Sequence, residues 1–110
     1  FLYVLFADLE IPVCREHVKY LKTMAEKTGP GLQVLLIVSD SKNTGLKEFI
    51  SENRIPGIVV TDTGNEVARK YAIRSYPSAF LFDKAHKVVL APARTPLDGF
   101  EFQFAQLKSN

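Results

Sequence analysis

Arg74-Ser75-Tyr76-Pro77-Ser78-Ala79-Phe80-Leu81-Phe82-Asp83 is the stretch on which the fold turns. Its apolar run, Ala79-Phe80-Leu81-Phe82, is followed by the turn residues Asp83-Lys84-Ala85-His86 and a second run, Lys87-Val88-Val89-Leu90. Together they predict a β-hairpin. Pro77 stands just ahead of the first strand. A proline there is either the stop of a preceding helix or part of a turn held cis, and a tyrosine before it is compatible with the cis form.

Upstream, continuous apolar runs alternate with helical spacing, the pattern of buried parallel strands joined by helices. Residues 1–7 and 32–38 are near-continuous apolar runs expected to be central strands covered on both faces. Between them Val18, Leu21, Met24 and Ala25 recur at three and four, which predicts a helix over 13–28 ending at Thr28-Gly29-Pro30-Gly31. Ser39-Asp40-Ser41 offers N-caps for a second helix with an apolar stripe of Leu46, Phe49 and Ile50. Pro56-Gly57 breaks the chain before a short strand, Ile58-Val59-Val60. Thr63-Gly64-Asn65 then turns into a third helix whose Val67, Ala68 and Tyr71 face inward. A last helix over 97–108 buries Phe100, Phe104 and Leu107. The order is β-α-β-α-β-α-β-β-α, expected to form one α/β domain over 1–110.

Composition narrows the chemistry. A chain of 110 residues removes roughly 65% of its unfolded surface from water, so it needs neither disulfide staples nor a metal to fold. One cysteine forbids an intrachain disulfide, a zinc ribbon and an internal dithiol switch. The 14 Lys+Arg and 12 Asp+Glu are interspersed, which suggests neither nucleic acid nor an anionic membrane as partner. No apolar run approaches the roughly 18 residues of a membrane span. Residues 1–7 lack a basic flank and a small-residue cleavage site, so they read as a strand of a processed or excised domain and not as a targeting peptide. No cofactor motif, phosphate-binding loop, paired-carboxylate site or Ser-His-Asp pattern is present.

The segment Glu10-Ile11-Pro12-Val13-Cys14-Arg15-Glu16-His17 follows the first strand directly. Reactive groups in an open α/β sheet collect at the carboxyl ends of strands, where helix N-termini carry partial positive charge. Pro12 suits a first helical turn, and a thiol at Cys14 can be acidified by that turn's unpaired amides. The competing reading makes Cys14 a small buried hydrophobe inert toward solvent. His17 lies three residues after Cys14, so it is either a partner for the thiol on one helix face or a solvated surface residue. The surface reading is the expected one. Arg15 and Glu16 read as surface charges, and His86 as an isolated turn residue with no metal-ligating neighbours.

Residues 6–21 resemble the segment Phe-Trp-Ala-x-Trp-Cys-x-x-Cys-Arg of thioredoxin-fold proteins of the TlpA/ResA type, the thiol-disulfide oxidoreductases related to AhpC/TSA. Residues 64–83 resemble that family's helix leading to a cis-proline and then to Phe-Leu-(Ile/Phe)-Asp. The helix and strand over about 42–60 resemble the insertion of TlpA-like and peroxiredoxin-like members. The resemblance covers essentially the whole chain and implies a three-layer α/β/α thioredoxin fold around a mixed sheet. It puts Cys14 on the second, resolving cysteine and Ile11 on the nucleophile. Glu10 stands at a usually aromatic position, and Leu5 where thioredoxins keep a buried acid.

Dithiol-disulfide exchange needs two sulfurs to cycle, so the resemblance implies a degraded site unable to act as a dithiol enzyme. Peroxiredoxins resemble the segment too, with their peroxidatic cysteine at Cys14. Here, however, their hydroxyl donor falls on Ile11 and their motif proline on Ala7. Three roles follow: thiol chemistry through Cys14 alone, a redox-inactive module, or a structural unit of a larger chain. The module reading expects a groove of Ile11, Pro12, Val13, Tyr76 and Pro77 that binds protein or peptide segments by strand addition. The resemblance alone also implies an extracytoplasmic or periplasmic location.

Overall fold

The two apolar runs lie side by side at the centre of a five-stranded sheet in the computed structural model, which describes residues 1–40 and 45–109. The elements are β1 (Leu2–Ala7), α1 (Pro12–Thr28), β2 (Gln33–Ser39), α2 (Leu46–Glu52), β3 (Ile58–Asp62), α3 (Glu66–Lys70), β4 (Ser78–Phe82), β5 (Val88–Ala93) and α4 (Phe100–Lys108). Short 3-10 turns at Thr63–Asn65 and Pro96–Asp98 lead into α3 and α4. The strand order is β3-β2-β1-β4-β5. β1 runs parallel to β2, with Leu5 opposite Leu36, and antiparallel to β4, with Leu5 opposite Ala79. The sheet is therefore mixed, as expected.

Alternation along β1 decides the layering, because successive side chains leave opposite faces of a strand. Tyr3, Leu5 and Ala7 pack with Cys14, Val18, Leu21 and Met24 of α1 and with Phe100 and Phe104 of α4. The α2 stripe of Leu46, Phe49 and Ile50 joins this core from its edge. Val4 and Phe6 point the other way, toward Ile37 and Ala68 of α3. That second face is only partly covered. Leu2 and Leu35 remain half-buried and Ile58 is 66% exposed, so the expected covering of the central strands is complete on one face alone.

Local departures from the sequence reading have local causes. The N-cap of α2 is Gly45, neither Ser39, the last residue of β2, nor Asp40; Ser41 lies outside the described residues, as do 42–44 of the expected insertion. The Asp40 carboxylate instead accepts the Gly64 amide at 2.7 Å, and its own amide donates to Asn65 Oδ1 at 2.9 Å. Tyr71 does not face inward as Ala68 does. It is 45% exposed and lays its ring edge-on to Phe80. The last helix begins at Phe100, not 97, because Gly99 at φ +94° separates it from the preceding turn. Gly57 at φ +79° lets the chain approach β2, where a Cβ would stand 2.1 Å from the Val34 carbonyl oxygen.

Candidate functional site

The carboxyl ends of β1 and β3, the first turn of α1 and the loop before β4 converge at one end of the sheet. Ile11 is the N-cap of α1, extended at φ −91° and ψ 118°, with no side-chain capping bond. Pro12 takes the first helical position, where the lack of an N–H costs nothing. The Ile11 carbonyl accepts the Cys14 amide at 3.0 Å and that of Arg15 at 3.3 Å. Val13 is left 51% exposed, whereas Cys14, one residue on, is turned inward and 0% exposed.

The thiol has opposing neighbours. Burial pushes its pKa up, and the Asp8 carboxylate adds to that. The backbone amide of Asp8 donates to the sulfur and pulls the other way, but burial is the largest influence and the net direction is upward. Acidification by the helix N-terminus, one of the two sequence readings of Cys14, does not prevail.

Tyr76 and Pro77 are joined by a cis peptide bond and half-buried beside this turn; a second cis bond, Ala91-Pro92, lies in β5. Burial raises the Tyr76 hydroxyl's pKa first, followed by the charges of Asp62, Asp8 and Cys14. Tyr76 therefore shares one electrostatic neighbourhood with the thiol and both aspartates. Ser78 Oγ donates to the Ser75 carbonyl at 2.6 Å and tightens the loop. Asp62 is itself buried, its two carboxylate oxygens accepting the Val67 and Ala68 amides at 2.9 Å each. It holds the start of α3 as a capping group does.

The structure brings Ile11, Pro12, Val13 and Cys14 together at the start of α1, and Tyr76 lies within electrostatic reach of Cys14. His17 is not the solvated residue expected. It is 5% exposed, and its Nδ1 accepts the Leu97 amide at 3.2 Å. Burial lowers its pKa, with the Asp98 charge opposing. The spacing Cys14, His17, Leu21, Met24 carries the signal for this placement, one inward stripe at three and four. Arg15 is also more than a surface charge, since its guanidinium donates to the Leu9 carbonyl at 2.9 Å. Asp8 and Asp62 were not legible as site residues from composition; their place at strand ends is the available signal. Among the described residues, no group of three or more His, Cys, Asp or Glu is disposed to hold a metal ion. No helix among them is long and apolar enough to cross a membrane.

Comparison with known proteins places this geometry. The AhpC/TSA family profile matches residues 2–91. The thiol-disulfide oxidoreductase ResA of Bacillus thuringiensis subsp. konkukian is 25% identical over 77 residues, 69% of this chain and 44% of the relative. The chain thus spans less than half the length of the curated relatives it matches. A secreted Mycobacterium tuberculosis disulfide oxidoreductase, homologous to Escherichia coli DsbE, superposes with a TM-score of 0.76 at 14% identity, over 96% of this chain and 80% of that one. The thioredoxin domain of a thiol-disulfide oxidoreductase from Bacteroides vulgatus gives 0.72 at 19% identity, over 96% and 77%. The fold is thioredoxin-like, as the resemblance implied, and the chain carries one cysteine where the chemistry of such proteins uses two.

Proposed function

The chain belongs to the AhpC/TSA family, and on that premise we propose that it is a thioredoxin-like unit that binds an extended protein or peptide segment without sulfur chemistry. The groove comprises Ile11, Pro12, Val13, Tyr76 and Pro77. The observation that carries this reading is the contrast between neighbours on one turn: Val13 is exposed while Cys14 is sealed, its thiol pushed toward the neutral form. A thiolate is the nucleophile in exchange chemistry, so a buried, neutral thiol is a poor agent for it. An apolar, partly exposed rim suits the side chains of an extended segment paired along the loop. The reading extends over residues 1–110 as one domain of a longer protein, and to an extracytoplasmic setting by likeness to the secreted Mycobacterium tuberculosis oxidoreductase. Peroxide reduction through Cys14 draws less support, because Ile11 offers no side-chain donor for the leaving oxygen.

Two measurements test the proposal. Insulin reduction should be undetectable for the chain as it stands and should appear on Ile11→Cys. Turnover by the unaltered chain would overturn the reading. Carboxymethylated insulin B chain, which has no thiols, should shift the amide resonances of Val13, Tyr76 and Ser78 and should do so equally in Cys14→Ser. No shift at millimolar peptide, or a shift lost in Cys14→Ser while that variant keeps its native spectrum, would remove the groove.

A further inference from the structure

The helix that presents Ile11 to Cys14 is fastened from behind by a group that the proposed binding does not use. His17 lies one turn past Cys14 on α1, and the Pro96–Asp98 turn packs over it. Pro96 is buried there, and the Leu97 amide donates to His17 Nδ1 at 3.2 Å. An imidazole nitrogen that accepts an N–H carries no proton, so the ring is the neutral tautomer with hydrogen on Nε2. No buried side-chain nitrogen or oxygen among the described residues lacks a partner, so Nε2, which is given none, reaches solvent.

The chemistry of protonation follows from that tautomer. The second proton enters at Nδ1, the atom already occupied by the Leu97 N–H. Imidazolium has two donors and no acceptor. Ring protonation and the bond from Leu97 are therefore mutually exclusive, and the charged ring would set one N–H against another in a nearly closed space.

The surrounding groups do not relieve this conflict. Asp98, on the same turn, is the charge that favours the imidazolium, but its carboxylate is hydrogen-bonded by the Thr95 hydroxyl. Arg94, just before the turn, donates to the Asp98 carbonyl at 3.4 Å and accepts the Tyr3 hydroxyl on its own carbonyl at 2.8 Å. On the next turn of α1, Tyr20 is engaged with Glu101 of α4 at 2.5 Å; the adjacent, exposed Glu16 lies 3.5 Å from Lys19.

We infer that His17 is a proton-sensitive latch between α1 and the Pro96–Asp98 turn, closed when the ring is neutral and opened by proton uptake at Nδ1. Opening loosens the turn that leads into α4 while leaving the central strands in place. Burial lowers the folded-state pKa below that of an exposed histidine. The latch thus holds above the ordinary histidine range near pH 6.5 and is lost as pH falls through the lowered folded value.

The test is amide hydrogen exchange at Leu97, corrected for the intrinsic pH dependence, followed beside the NMR titration of the His17 ring. Protection at Leu97 should fall about tenfold on acidification, the loss expected for one hydrogen bond. Its midpoint should coincide with the ring titration, and Val4 and Leu5 in β1 should keep their protection. His17→Asn supplies an acceptor oxygen near the Nδ1 position but does not titrate, so its Leu97 protection should be flat with pH. Unchanged Leu97 protection while the ring titrates would overturn the latch. So would an equal loss at Val4 and Leu5, or the same acid-induced loss in His17→Asn.

Discussion

Hydrogen bonding from the Asp8 backbone favours the ionised Cys14 thiol, while the carboxylate of the same residue opposes its ionisation. One residue thus acts on the thiol in both directions, and burial tips the balance toward the neutral form. The end of β1 and the first turn of α1 are coupled through this contact. It sets what can be expected of the chain's one sulfur.

Cys14 should react slowly with iodoacetamide in the native protein and on the order of a hundredfold faster once unfolded in guanidinium, because the sulfur has no solvent-exposed surface in the fold. The sign of the accompanying pH effect follows from linkage. A thiol whose folded pKa is raised contributes stability that is full below its unfolded value, and that stability is lost as pH rises through the folded one. Urea midpoints should therefore drift down on the alkaline side, and the drift should shrink in Cys14→Ala. Native alkylation at the rate of the unfolded chain would contradict the sealed placement.

Cys14→Ser should cost about 1–3 kcal/mol of unfolding free energy, since it puts a hydroxyl among Leu5, Val18 and Leu21 in place of a weakly polar sulfur. Chemical denaturation compared with Cys14→Ala separates this polar penalty from the loss of volume.

Tyr20→Phe removes the 2.5 Å bond from α1 to Glu101 of α4. We expect a loss of about 1–1.5 kcal/mol. In a double-mutant cycle with Glu101→Gln, the pair should show coupling, whereas Lys27, 3.6 Å from Glu101 at an exposed position, should show little.

Asp62→Ala strips both acceptors from the start of α3 and should cost about 1–2 kcal/mol, with Asp62→Asn in between. Hydrogen exchange at Val67 and Ala68 is the direct readout. Those amides should lose protection before the rest of the sheet does.

Gly57→Ala should be the most damaging exposed substitution. It combines a positive φ with a Cβ 2.1 Å from a backbone oxygen of β2, and a cost of about 3 kcal/mol or more is expected from thermal or urea unfolding.

Strand runs and the hairpin were legible because burial on β1 and β2 demands continuous apolar sequence, and the Asp83–Lys87 turn spells itself out locally. The Asp83 amide and the Lys87 carbonyl close that turn at 2.9 Å. The placement of Asp40 was not legible, because its partners are Gly64 and Asn65, some two dozen residues away, and no local pattern distinguishes that role from helix capping. Tyr71 sits at helical spacing from Val67 and Ala68, yet α3 is too short to carry its ring fully under cover. Of the site, the cis bond between Tyr76 and Pro77 was legible through resemblance. The inward turn of His17 can be read from its spacing to Cys14, Leu21 and Met24, but its partner, the amide of Leu97, lies 80 residues further along the chain.

The sealed position of a lone sulfur has a consequence for how such a unit responds to its surroundings. With no second cysteine in the sequence to pair with and its own sulfur buried, Cys14 forms no internal disulfide as the ambient potential shifts. A groove of the proposed kind would meet its occupant with the same surface in a reducing medium as in an oxidising one.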